Sequence, residues 1–179
     1  MSPPTELSDL LAEDLTTPAG AVFGSMALVS WSRIFDNANL SHIIHDQDIP
    51  LMETIALDCI EDTDQGLPIL PEVELLGTNF AKANPAETSP WQNIIQDNSP
   101  RPNDISVPMF IAQGSIDPVV DPKITKQWAV DLCKENPSVF YKVYEGKSHL
   151  DVVAPAVKDT LPWIHDRFAN TAAPSNCVE

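Results

Sequence analysis

Residues 107–149, VPMFIAQGSIDPVVDPKITKQWAVDLCKENPSVFYKVYEGKSH, constrain the fold of this chain more than any other stretch. Val107 and the run Met109, Phe110, Ile111 and Ala112 stop at Gln113-Gly114, the pattern of a short parallel strand buried on both faces. Asp117 falls on the turn just past that strand. Asp121-Pro122 then supplies an N-cap and a first helical residue, and Ile124, Trp128 and Leu132 share one stripe of the helix that follows. The β-branched and aromatic run VFYKVY at 139–144 predicts a second strand, and Glu145-Gly146-Lys147-Ser148 leads from it to His149. The unit is strand, acid, helix, strand, histidine. Ligands of an open parallel sheet sit outside the carboxyl ends of its strands, so Asp117 and His149 are expected to project into one crevice.

An acid and a histidine in that order are the last two members of a Ser…Asp…His triad on an α/β-hydrolase sheet. The imidazole takes the proton of a serine hydroxyl; the carboxylate selects the tautomer and stabilises the imidazolium that forms. The bland alternative stands beside it: an Asp in a turn after a strand is common, and a histidine ahead of a helix is usually just solvated.

The same stretch resembles the carboxyl-terminal end of the secretory lipase family, the fungal lipase A-like α/β-hydrolases. The matching pieces are P-x-F-I-x-x-G-x-x-D-x-x-V from Pro108 to Val120, Cys133 within DLCKEN, Tyr144-x-x-x-x-His149, and Pro162-Trp163 in the final helix. The 32-residue interval between Asp117 and His149 also agrees. Weaker likeness extends to 18–31, 56–61 and 90–100. The resemblance implies an α/β fold: residues 90–179 as the carboxyl-terminal part of an α/β-hydrolase core, with two parallel strands and flanking helices, and residues 1–89 as a mainly helical cap. It implies a carboxylic ester hydrolase, a triacylglycerol lipase or esterase, with Asp117 as the acid, His149 as the general base and no cofactor. Its substrate would be an ester or acylglycerol, with a lipid interface as a further partner to consider, and the protein would be secreted. It also implies a bridge between Cys133 and Cys177, and a partner for Cys59 upstream of this chain.

By their spacing alone, Cys59, Cys133 and Cys177 argue against zinc or thioredoxin-like chemistry, since no C-x-x-C is present. Three reduced, buried thiols in a cytosolic protein remain the alternative to a bridge. His42, His45, Asp46 and Asp48 match neither a helical H-x-x-x-H site nor a D-x-D-x-D-G loop, and read as a polar loop rather than metal ligands.

The remaining chain reads as short helices. Leu10, Leu11 and Leu15 mark the apolar face of an acidic helix over 6–15 that ends at Thr17-Pro18. Residues 19–35 are apolar almost all round, a buried helix or one covering a groove. Pro50 opens a helix running through Ile55 toward Cys59 and the acids Glu61, Asp62 and Asp64, and short helical pieces follow over 72–82 and 91–96. Leu150, Val153, Val157, Leu161, Ile164 and Phe168 form a stripe expected to pack on the sheet, with a kink at Pro162. The longest apolar run falls short of the ~20 residues that span a bilayer. The first residues lack the basic stretch and apolar core of a signal peptide, so none is expected here. A net charge of −16 disfavours nucleic acid and anionic membrane surfaces as partners.

No Gly-x-Ser-x-Gly occurs; Ser25 in FGSMA comes nearest but lies in a helical run. Two strands are too few for an independent sheet. The expectation is therefore a carboxyl-terminal portion whose nucleophile and remaining strands belong to a missing amino-terminal half. The alternative is a non-catalytic lipid- or ester-binding piece in which Asp117 and His149 are vestigial.

Overall fold

The computed structural model describes residues 5–57 and 70–177. They form two compact units, one over 7–98 and one over 99–177 with residues 5 and 6. Cys59 and the acids Glu61, Asp62 and Asp64 lie outside the described residues.

The first unit is helical, with α1 (Leu7–Asp14), α2 (Pro18–Ile34), α3 (Ile49–Ile55), α4 (Leu70–Leu76) and α5 (Trp91–Asn98). Thr17 caps α2, its hydroxyl oxygen accepting from the Gly20 N–H at 3.0 Å, and Pro18 fills the first turn where no amide hydrogen is needed. A Cβ on Gly24 would collide with the Leu15 side chain, so the glycine lets α2 lie close to the end of α1. Leu28, Ile43, Ile44, Met52, Ile55, Phe80, Trp91 and Ile95 make a fully buried core. The expected helix over 72–82 ends at Leu76 instead. Gly77 takes a left-handed φ of 63°, and the chain beyond it runs out to an isolated antiparallel bridge between Ala81 and Ile44. Trp91, Ile94 and Ile95 bury α5 in this helical core, so the boundary between the units follows Asn98 rather than residue 89.

The second unit mixes helix and strand. Strands β1 (Met109–Gly114) and β2 (Val139–Tyr144) pair in parallel, Met109 opposite Val139 and Gly114 opposite Tyr144. Helix α6 (Pro122–Glu135) joins them, and α7 (Val153–Phe168) follows β2. Asp121 caps α6 by accepting from the Lys123 N–H at 2.8 Å. Side chains alternate across a pleated sheet, so the two helices take opposite faces. Ile111 and Val139 pack with Trp128, Ala129 and Leu132 of α6. Ala112 and Tyr144 pack with Val152 and Ala156 near the start of α7, while Phe110 meets Phe140 at 5.6 Å and Trp163 at 5.9 Å between ring centroids.

Three sequence expectations change here. Burial of β1 on both faces is incomplete, because Met109, Phe110 and Ala112 are only half-buried under the cover that two helices give. On α6 the inward stripe takes Thr125 and Ala129 with Trp128 and Leu132, leaving Ile124 half-buried. On α7 the expected stripe turns outward: Val157, Leu161 and Phe168 are 48%, 62% and 85% exposed. The helix is oriented by other contacts. Asp159 Oδ2 accepts from the Tyr144 hydroxyl at 2.6 Å and pairs with Lys142 Nζ at 2.7 Å, so Val152, Ala156, Asp159 and Trp163 form the stripe that meets the sheet.

Cys133 and Cys177 are joined by a disulfide with Cα atoms 5.5 Å apart. The bridge holds the tail along the outer edge of β2. Asn176 there imitates a strand partner: its backbone N–H donates to the Val139 carbonyl at 3.1 Å, its side-chain oxygen accepts from the Tyr141 N–H at 2.8 Å, and its Nδ2 donates to the Tyr141 carbonyl at 2.7 Å. One residue thus pairs peptide groups of Val139 and Tyr141 that the edge would otherwise present unpaired. Among the described residues no third strand pairs with β1.

Candidate active site

The carboxyl ends of β1 and β2 bring Asp117 and His149 together. The two loops that carry them are stitched by backbone bonds: Ser115 N–H donates to the Tyr144 carbonyl and Ile116 N–H to the Lys147 carbonyl, each at 3.1 Å. Ser115 Oγ also accepts from the Gly146 N–H at 2.8 Å, and Gly146 adopts the left-handed φ of 67° that turns the chain after β2. Gly114 is required for a different reason. A Cβ there would overlap the Lys147 carbonyl oxygen and approach the Ser148 carbonyl oxygen to 2.8 Å, both backbone atoms of the segment leading into His149. Gly114→Ala is therefore expected to destabilise the unit by about 1–3 kcal/mol, the usual cost of overpacking. Chemical denaturation measures that loss, and the His149 resonances should shift with the displaced loop.

The Asp117 side chain has no exposed surface, and His149 retains 16%. Asp117 begins an Asp-Pro turn, and its Oδ1 accepts from the Val119 and Val120 N–H groups at 2.9 and 3.0 Å. Its Oδ2 faces His149 Nδ1 at 2.9 Å and Gln113 Nε2 at 3.3 Å. Burial pushes the Asp117 carboxyl up, but the hydrogen bonds from His149, Val120 and Val119 outweigh it and hold the group below its ordinary value. An ionised carboxylate facing Nδ1 makes that nitrogen the donor in the neutral ring and leaves Nε2 as the acceptor. Among the described residues Nε2 has no hydrogen-bond partner. The nearby serines are engaged elsewhere, Ser115 with Gly146 and Ser148 with Asp151 Oδ2 at 2.7 Å.

Ser25 is fully buried within α2, its hydroxyl bonded to the Ala21 carbonyl four residues earlier, far from the geometry of a strand-to-helix elbow. His42, His45 and Asp46 are exposed, and among the described residues no three His, Cys, Asp or Glu side chains are grouped to hold a metal ion. Among the same residues no helix is long and apolar enough to cross a membrane. Gln113 and Gly114, read from sequence only as the end of a strand, are both part of the arrangement. Gln113 could have been noticed as an amide inside an apolar strand; the crossing that requires Gly114 is visible only in three dimensions.

No family model, curated protein or solved structure matches this chain.

Proposed function

We propose that this chain is the carboxyl-terminal portion of a carboxylic ester hydrolase of lipase type, an α/β-hydrolase in which Asp117 orients and His149 serves as general base. The contact of 2.9 Å between His149 Nδ1 and Asp117 Oδ2, at the ends of two adjacent parallel strands, carries the reading. The disulfide between Cys133 and Cys177 and the placement of α6 and α7 on opposite faces of the sheet are consistent with it.

In this reading a serine outside the 179 residues is the nucleophile. His149 Nε2 accepts the serine proton as the Oγ–C bond to the ester carbonyl forms and the carbonyl electron pair moves to oxygen. The imidazolium, held by Asp117, then gives that proton to the departing alkoxide, leaving an acyl-serine. Water repeats the sequence, with Nε2 taking its proton and returning one to the serine as the acid departs. The donors for the developing oxyanion would also come from outside this chain, and secretion belongs to the same proposal.

A second reading, a non-catalytic lipid- or ester-binding piece, draws on the apolar side chains that α7 leaves in solvent. Hydrolysis of p-nitrophenyl esters separates the two. The chain alone should stay at the background rate, and a full-length product bearing a Gly-x-Ser-x-Gly serine should turn over. Absence of turnover in that product, with acyl chains still bound, would select the binding reading.

A further inference from the structure

We propose that Gln113 is a positioning residue for Asp117: its carboxamide holds the carboxylate turned toward His149 and thereby keeps the imidazole in the Nδ1–H tautomer. The purpose of that tautomer rests on the hydrolase reading above; its existence can be tested without any activity.

Gln113 has no exposed surface. Its Nε2 lies within reach of three acceptors: the Gly114 carbonyl at 3.1 Å, the Val120 carbonyl at 3.2 Å and Asp117 Oδ2 at 3.3 Å. Since all three are acceptors, the amide nitrogen belongs on that side and the oxygen on the other. That oxygen, Oε1, is buried and has no partner among the described residues. A Met or Leu would fill a similar volume without leaving an acceptor unpaired, so packing gives no reason for an amide here. Its value lies in the two N–H donors.

The bonds to Asp117 divide unevenly between its oxygens. Oδ1 is held by two backbone N–H groups, with the imidazole Nδ1 at 3.2 Å, whereas Oδ2 takes the shorter imidazole contact at 2.9 Å and the Gln113 amide. The terminal torsion of an aspartate is broad and carries both oxygens together, so the Gln113 amide on Oδ2 adds a restraint from the opposite end of the carboxylate to those on Oδ1. Through the Val120 carbonyl Gln113 ties the same amide to the turn that supplies Oδ1 with a donor. Strand end, turn and carboxylate share one anchor.

The test is the tautomer of His149, read from ¹⁵N shifts of its ring nitrogens in the 179-residue chain, at a pH where the imidazole is neutral. The unaltered chain should show Nδ1–H. In Gln113→Met the ratio of Nδ1–H to Nε2–H should fall about tenfold, the scale of one lost hydrogen bond to a charged group. His42, His45 and His165 should not change and serve as internal references. An unchanged ratio in a folded Gln113→Met chain overturns the positioning role and leaves the hydrolase reading standing. Should that variant fail to fold, the unaltered chain decides: a Gln113 amide protected from exchange, whose shift moves in His149→Ala, supports the role, and a freely exchanging amide overturns it.

Discussion

Replacing His149 by alanine in the full-length protein should lower kcat for ester hydrolysis by about 10⁴-fold or more while the thermal midpoint stays close to that of the parent. The two effects separate because the one group the ring bonds is also held by others. The His149 side chain retains 16% exposure, its Nδ1 meets only Asp117, and its Nε2 has no hydrogen-bond partner among the described residues. Losing it removes the proton acceptor for the serine and the donor for the leaving alkoxide, and leaves Asp117 still bonded to Val119, Val120 and Gln113. Asp117→Asn should cost a similar factor for a different reason. The amide would offer N–H where a carboxylate oxygen now sits, favouring the wrong imidazole tautomer. The equivalent Asp-to-Asn change in the triad of a serine protease lowers kcat by about 10⁴-fold, which sets the scale. Steady-state kinetics on p-nitrophenyl esters measures both; variants that keep most of the parent kcat would remove His149 and Asp117 from the chemistry.

Cys177→Ser is expected to cost the second unit about 4 kcal/mol of stability, on the chain-entropy model for a bridge spanning 44 residues. Release of the tail also withdraws Asn176 from Val139 and Tyr141, exposing peptide groups along β2. Urea denaturation under oxidising conditions should place Cys133→Ser and Cys177→Ser at the same lowered midpoint, and reductant should bring the parent down to join them. A parent midpoint unmoved by reductant would mean that the tail is held by its hydrogen bonds without help from the bridge.

Local signals account for what the sequence shows of this fold. The run VFYKVY predicts a strand over 139–144 and the structure has one there; Asp121-Pro122 marks a true helix start, because a cap acts within three residues of itself, while Thr17-Pro18, read from sequence as the end of the first helix, also caps the second. The approach of Asp117 to His149 follows from strand-end placement, which order along the chain already implies. Non-local features escape. The outward turn of the apolar stripe on α7 depends on Asp159 meeting Tyr144 and Lys142 across a sheet of two strands, and periodicity alone cannot choose between two stripes on one helix. The residues after Gly77 leave the helix to meet Ile44, a partner more than thirty positions away. Gln113 shows its role only once the turn at 117–120 folds back over the strand end.

Labelling of the full-length protein with a fluorophosphonate, followed by mapping of the modified peptide, tests the central claim most directly, since such probes react only with a serine activated by a base within an oxyanion site. A single labelled serine outside these 179 residues, with a labelling rate that collapses in His149→Ala, is the predicted result. Label on a serine within the chain, or a rate unchanged when His149 is replaced, would contradict the assignment of Asp117 and His149 as the acid and base of a hydrolase.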